Sequence, residues 1–201
     1  MRDRLVLATR NEGKVVELRA ILAGELDVEL VGMGAYPQVG DITETGVTFV
    51  ENATLKAAAV AQATGLPALA DDSGLAVDVL GGAPGVFSAR WAGRHGDDRA
   101  NLQLLLAQLA DVPDDHRGAA FVCAAAFALP GGEVVTREGR FAGTLTRVAR
   151  GENGFGYDPI LQVEGDTRTA AELTPAEKNA ISHRGKAFRA LASEVRGRLP
   201  G

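Results

Sequence analysis

The chain has 201 residues, 46% hydrophobic and 23% charged, enough to bury a sizeable core as one globular domain over residues 1–201, with room for two lobes around a cleft. Its formal net charge of -5 argues against nonspecific binding to nucleic-acid backbone or an anionic membrane, while a local basic cluster could still hold a small anion. The single cysteine, Cys123, lies in an apolar run and excludes an intramolecular disulfide framework and a cysteine-based zinc site.

The longest apolar run, Ala119 to Leu129, falls well short of the roughly 18 residues a membrane span requires. Met1 to Ala8 holds too short an apolar segment for a secretory signal, so cytoplasm is the expected location. No fixed-period repeat, low-complexity tract or Ser/Pro-rich linker divides the chain.

Leu5 to Ala8 reads as a short buried strand, and Val15, Leu18 and Leu22 recur at helical spacing over Lys14 to Leu22. Between them lies Thr9-Arg10-Asn11-Glu12-Gly13-Lys14. A polar, Gly-containing loop running from a strand into a helix N-terminus is a recurrent way to hold phosphate, because free backbone N–H groups and the helix dipole favour an anion. It is not a Walker A loop, and most such junctions bind nothing, so this stretch alone decides nothing. After a strand at Val28 to Val31, the loop Gly32 to Gly46 carries Asp41 and Glu44. Thr48-Phe49-Val50-Glu51 is a capping box opening an alanine-rich helix to about Thr64, stopped by Gly65 and Pro67. Glu51 therefore has a structural role available. Glu44 does not, which leaves it as a metal-ligand candidate or a solvated loop acid.

Strands are predicted at Ala68 to Asp71 and Leu75 to Val79, with Asp71 and Asp72 adjacent between apolar runs. Successive strand side chains point to opposite faces, so these acids go to different surroundings. Two readings are open: a strand-end turn in which Asp72 and Ser73 cap backbone groups before Gly74, or a metal or catalytic site. Gly81-Gly82-Ala83-Pro84-Gly85 signals sharp bends, and Arg90 beside Trp91 is either surface packing or a ligand contact. Asp97 or Asp98 caps a helix with an apolar stripe of Leu102, Leu105, Leu106 and Leu109. Ala119 to Leu129 and Glu133 to Phe141 flank Pro130-Gly131-Gly132 as a hairpin, so a sheet begun with strand-helix-strand units becomes mixed.

In Gly151 to Pro159, Phe155 and Tyr157 sit on a Gly-rich loop, a placement that predicts rings outside the core and free to stack on a base. Thr174-Pro175-Ala176-Glu177 is a second capping box leading to Lys178. Ser182 is placed to cap a last helix with Phe188, Leu191, Val195 and Leu199 on its buried face. His183, Arg184 and Lys186 then occupy its first turn, where the dipole disfavours cations unless an anion is present.

Together these stretches resemble the inosine triphosphate pyrophosphatase family, also called dITP/XTP or non-standard purine NTP pyrophosphatases. The motifs are Leu-Ala-Thr-Arg-Asn-Glu-Gly-Lys at Leu7 to Lys14, Glu-Thr-Gly-Val-Thr-Phe-Val-Glu-Asn-Ala at Glu44 to Ala53, Ala-Asp-Asp-Ser-Gly-Leu at Ala70 to Leu75, Gly-Gly-Ala-Pro-Gly-Val-Phe-Ser-Ala-Arg at Gly81 to Arg90, Gly-Phe-Gly-Tyr-Asp-Pro at Gly154 to Pro159, and Ala171 to Gly185. The resemblance implies an elongated α/β fold with a central mixed sheet, flanking helices and a nucleotide cleft between two lobes, as a homodimer. It implies Mg2+-dependent hydrolysis of ITP, dITP or XTP to the monophosphate and pyrophosphate. Carried over by motif, Thr9, Arg10, Asn11, Glu12, Gly13, Lys14 and Lys178 hold phosphates. Asp72 is the metal-linked acid that activates water, with Ser73 nearby, and Phe155, Gly156, Tyr157, Asp158, His183 and Arg184 surround base and sugar. Some members carry two acids before the Thr-Gly pair; here Thr43 precedes Glu44, so a metal ligand there is Glu44 or absent. The alternatives are a pyrophosphatase acting on other modified nucleotides and a nucleotide-binding module without turnover.

Overall fold

Residues 3–199 are described by the computed structural model. Strand β1 (Arg4–Leu7) leads through a short loop into helix α1 (Glu12–Leu22), and β2 (Glu29–Gly32) returns parallel to β1, with Leu5 opposite Leu30 and Leu7 opposite Gly32. Helix α2 (Phe49–Thr64) then delivers β3 (Ala68–Val77), which pairs parallel with β1, Val6 opposite Ala68. There follow α3 (Asp98–Gln108), β4 (Gly118–Ala128), β5 (Val134–Leu145), β6 (Leu161–Val163), α4 (Pro175–Ile181) and α5 (His183–Arg196). The strands form one sheet in the order β2-β1-β3-β4-β5-β6, parallel around β1 and antiparallel at β5 and β6, which is the mixed α/β architecture expected.

Local sequence sets the helix starts. The Thr48 and Thr174 boxes both close: Glu51 N donates to Thr48 Oγ1 at 3.2 Å while Thr48 N donates to Glu51 Oε2 at 3.0 Å, and Thr174 and Glu177 repeat the exchange at 3.3 and 2.8 Å. Asp97, rather than Asp98, caps α3 by accepting from Ala100 N. One expectation fails. The predicted break between two strands at Asp72 to Gly74 is absent, and β3 runs unbroken through all of them. A turn would have taken the acids to water; each instead meets a cation on its own face of the strand.

The chain divides into two compact units. Among the described residues, the first takes 3–72, Cys123–Gly139 and 184–199; the second takes Ser73–Val122 and Arg140–His183. In the first unit, strand alternation sorts the core into two layers. Leu5, Leu7, Leu69, Cys123, Ala125 and Phe127 pack with α1 and with Phe188, Leu191 and Val195 of α5. Val6, Ala68, Ala70, Ala124, Ala126 and Ala128 pack with Ala53, Ala57, Val60 and Ala61 of α2, small residues on both sides that let helix and sheet approach closely. The second unit has its own core of Leu75, Val77, Leu105, Leu109, Phe121, Phe141, Leu145, Ile160 and Leu161. Beside it, Arg117 is 1% exposed and donates to the carbonyls of Leu145, Leu109 and Thr146 at 2.8, 2.6 and 3.1 Å, tying β5 to the end of α3.

Candidate active site

The layering of the first unit decides where the paired acids go. Asp72 has the parity of Ala68 and Ala70 and so faces α2, where Asn52 and Lys56, four residues apart, lie on one helix face. Asn52 Nδ2 donates to Asp72 Oδ2 at 3.1 Å, and Lys56 Nζ lies 3.3 Å from Asp72 Oδ1. The same ammonium is 2.7 Å from Glu44 Oε1, so two carboxylates from separate segments converge on one cation. Burial pushes the Asp72 carboxyl above its usual range; Lys56 opposes that rise and Glu44 adds to it. Burial also lowers the Lys56 pKa, but Asp72 and Glu44 outweigh it and the net shift is upward.

Asp71 has the opposite parity, that of Leu69, and meets α1 and α5. Arg184 donates to Asp71 Oδ2 from Nε at 3.2 Å and Nη2 at 3.1 Å, and to Glu17 Oε2 from Nη1 at 2.9 Å. Lys14 Nζ stands 3.5 Å from the same Asp71 oxygen. Arg184 and Asp71 are almost completely buried. Burial opposes the Arg184 charge, yet the two carboxylates outweigh it and hold its pKa above the ordinary guanidinium value. Of the cations in the first turn of α5, Arg184 meets an anion of the protein itself, Asp71.

The loop before α1 is built from its own side chains. Asn11 N donates to Thr9 Oγ1 at 3.1 Å and Lys14 N to Asn11 Oδ1 at 3.2 Å, with Glu12 and Gly13 exposed in the first turn. Arg10 turns to the following loop, bonding Asp41 at 2.7 Å and the Val39 carbonyl.

In the second unit, Asp158 is buried and forms an ion pair with Lys178, whose ammonium lies 5.3 Å from the centre of the Phe155 ring. Phe155 N donates to Asp158 Oδ2 at 2.8 Å, and Gly156 N to Asp98 Oδ2 at 2.9 Å. Gly154 has φ +77°, and a Cβ there would fall 2.1 Å from Asp158 Oδ2, so glycine is required both by conformation and by space. Phe155 is 54% exposed and lies outside the core, as its Gly-rich loop predicted. Tyr157 corrects the prediction for its loop: it is 4% exposed, and its hydroxyl donates to the Ser88 carbonyl at 2.9 Å. The short 3-10 turn at Asp158–Ile160 carries it into the core, where its hydroxyl finds a backbone partner. His183 is buried and stacked on Phe121, ring centres 5.1 Å apart. Ser73, half-buried, follows Asp72 on β3.

Three groupings of the expected residues thus form: Glu44 with Asp72, Lys14 with Arg184 around Asp71, and Phe155 with Asp158 and Lys178. Arg10 and Tyr157 are engaged elsewhere. Asn52 and Lys56 were not foreseen, although their four-residue spacing on an alanine-rich helix was a legible signal. Among the described residues no group of three or more His, Cys, Asp or Glu side chains converges, so Asp72 and Glu44 offer two carboxylates. That donor set fits Mg2+, which is commonly held by one or two carboxylates together with substrate phosphates and water.

The Ham1 family model matches residues 5–194. The dITP/XTP pyrophosphatase of Streptomyces coelicolor is 70% identical over 194 residues, covering 96% of this chain and 97% of that protein. That of Mycobacterium tuberculosis is 53% identical over 200 residues, covering 98% of each. Among solved structures, a Coxiella burnetii HAM1 protein matches with TM-score 0.88 at 44% identity, covering 97% of this chain and 99% of its own. The Mycobacterium abscessus nucleoside-triphosphatase/dITP/XTP pyrophosphatase matches with TM-score 0.78 at 55% identity, covering 94% and 98%. With the family model spanning nearly the whole chain and relatives this similar, the chain belongs to the Ham1 family.

Proposed function

We propose that this chain is a nucleoside triphosphate pyrophosphatase that hydrolyses deaminated purine nucleotides, ITP, dITP, XTP and dXTP, to the monophosphate and pyrophosphate, keeping them out of DNA and RNA. The observation that carries the reading is the convergence of Asp72 and Glu44 on a single cation, in a chain whose family relatives bear the dITP/XTP pyrophosphatase name. Water is added across the α–β phosphoanhydride bond: one P–O bond forms, one breaks, and pyrophosphate leaves. Asp72 takes the proton from the attacking water. An acid made harder to ionise by burial is a stronger base, which suits that role. Asp72 and Glu44 would hold Mg2+, which when bound neutralises charge on the phosphates. Lys14, only 27% exposed and held by Asp71, is positioned to add positive charge beside a phosphate without a reorganisation cost.

In this reading Phe155 stacks on the base, with Lys178 and Asp158 fixing its loop, and Arg184 acts indirectly by holding Asp71 and so Lys14. Selectivity for a 6-keto purine follows if a donor aimed at O6 is left unpaired against adenine. Activity as one catalytic domain, a homodimer and a cytoplasmic location belong to the same proposal; among the described residues no helix is long and apolar enough to cross a membrane.

A panel of ITP, XTP, GTP, ATP, dTTP and UTP, with and without Mg2+, scored for monophosphate and pyrophosphate, tests it. Metal-dependent pyrophosphate release from ITP and XTP, with little from dTTP or UTP, is expected. Preferential turnover of pyrimidine nucleotides, or binding of ITP without turnover, would overturn it.

A further inference from the structure

The Glu44 loop and Asp72 of β3 are joined by one buried side chain. Asn52 is 2% exposed, and its amide is used at both ends: Oδ1 accepts from Gly46 N at 2.8 Å, and Nδ2 donates to Asp72 Oδ2 at 3.1 Å. Its orientation is not arbitrary. A backbone N–H can only donate, so the amide oxygen must face Gly46 and the NH2 must face the carboxylate. We infer that Asn52 is a positioning residue that sets the geometry of the metal site, by fixing the loop that carries Glu44 and by engaging one Asp72 oxygen so that the other, Oδ1, is the one presented to cation and water. The inference rests on the reading of Asp72 and Glu44 as the metal-binding pair.

Three features support it. Lys56 Nζ lies by Oδ1 of Asp72, the oxygen that Asn52 leaves available, and it reaches Glu44 from that same position. Gly46 lies two residues past Glu44, and a Cβ on it would come within 2.7 Å of Asn52 Oδ1 and 2.6 Å of Glu51 Cβ, so the loop approaches α2 as closely as glycine permits. Asn52 is also the i-4 neighbour of Lys56 on α2, so one helix face holds the donor that orients the acid and the ammonium that neutralises it. Without Asn52, Asp72 Oδ2 would lose its amide donor and could turn toward Lys56, and the loop would lose its attachment to α2 at Gly46.

The test compares wild type with Asn52→Ala, Gly46→Ala, the double variant and Asp72→Asn. Free Mn2+ is followed by electron paramagnetic resonance, ITP kinetics are measured at saturating Mg2+, and circular dichroism melts identify a temperature at which each variant is folded. Outer partners of metal ligands typically contribute 10–100-fold in metal affinity, so Asn52→Ala is expected to weaken Mn2+ binding at least tenfold and to lower kcat while KM for ITP stays within about threefold. Gly46→Ala should weaken Mn2+ binding by strain at the same contact, and the double variant should be little worse than the more affected single one, because both break one link. Should Asp72→Asn abolish Mn2+ binding while Asn52→Ala and Gly46→Ala bind within twofold of wild type, the positioning role is overturned and the metal site stands. Wild-type Mn2+ affinity in Asp72→Asn would overturn the metal-site reading and this inference with it.

Discussion

Asp71→Asn and Asp72→Asn change neighbouring residues by the same atoms, and their effects are expected to separate. Asp71 and Arg184 side chains are each 3% exposed, and one Asp71 oxygen serves two guanidinium N–H groups and faces Lys14 at 3.5 Å. Asparagine keeps an oxygen but no charge, leaving a buried guanidinium with Glu17 alone. Removing one partner of a buried pair costs about 3–5 kcal/mol; with Glu17 retained at 2.9 Å, the lower end, about 3 kcal/mol, is expected. Unfolding entropy of about 2.1 cal/mol/K per residue gives roughly 0.4 kcal/mol/K for a chain of this length, so Tm should fall by about 7 °C. Asp72 is the opposite case. Its raised pKa means folding already disfavours its ionised form, so a neutral isostere removes that cost, and Lys56 retains Glu44. Its Tm should move by less than about 2 °C, while loss of a general base lowers kcat for ITP by at least about 100-fold. Calorimetric melts at pH 7 beside steady-state turnover decide it. Asp71→Asn melting with wild type, or Asp72→Asn showing the larger drop in Tm, would refute the assignment of one acid to the fold and the other to chemistry.

Phe155→Ala should raise KM for ITP and GTP by similar factors, since a stack worth about 1–3 kcal/mol is nearly indifferent to base identity; a change of more than about tenfold in the ratio of their kcat/KM values would mean that the ring reads the base. Arg117→Met strips one buried cation from three carbonyls, and with about 1–3 kcal/mol for each buried polar group left unpaired, a Tm loss at least as large as that of Asp71→Asn is expected, with unchanged kcat/KM in the protein that remains folded. Asp166 and Glu177 are both held down to about 2, the first chiefly by hydrogen bonds from Arg168 and the second chiefly by the backbone of Thr174. Arg168→Ala should therefore raise the Asp166 pKa toward the free value of about 4 and move Glu177 less, as read by carboxyl NMR titration. Both acids are depressed on folding, so their contribution to stability is complete above about pH 5 and is lost as pH falls toward about 2; in Arg168→Ala the part due to Asp166 should disappear from that window.

Much of the fold was legible because short-range chemistry decided it. The Thr48 and Thr174 boxes, the Gly65 stop and the Pro130-Gly131-Gly132 turn each bound an element in the structure, and the strand and helix periods around them gave the mixed sheet. Where tertiary pairing overrode local preference, the expectation failed. Asp72-Ser73-Gly74 carries turn-forming residues, yet β3 continues because α2 and α5 place cations on opposite faces of it. Tyr157 shares its Gly-rich loop with Phe155, and composition assigns both rings the same fate. Only Gly156 stands between them, yet Tyr157 caps the turn at Asp158–Ile160 and is hydrogen-bonded in the core while Phe155 stays exposed.

The site shows how far parity alone can go. Alternation along β3 requires Asp71 and Asp72 to part company, but it is symmetric and does not say which acid reaches which layer. That depends on what each layer carries. The odd face receives Arg184 and Lys14, both with further partners or partial exposure, and they enclose Asp71 as a buried ion pair. On the even face lie the small side chains of α2, and a layer of alanines against alanines cannot itself satisfy a carboxylate. Asn52 and Lys56 are the two polar side chains of that helix that reach Asp72, and they leave one of its oxygens shared with the ammonium that also contacts Glu44. An acid enclosed by fixed cations has no capacity left for a substrate. An acid with one oxygen on an amide and the other on an ammonium shared with a second carboxylate, and with its pKa raised by burial, keeps that capacity, and the proposed assignment of the chemistry to Asp72 rests on this difference.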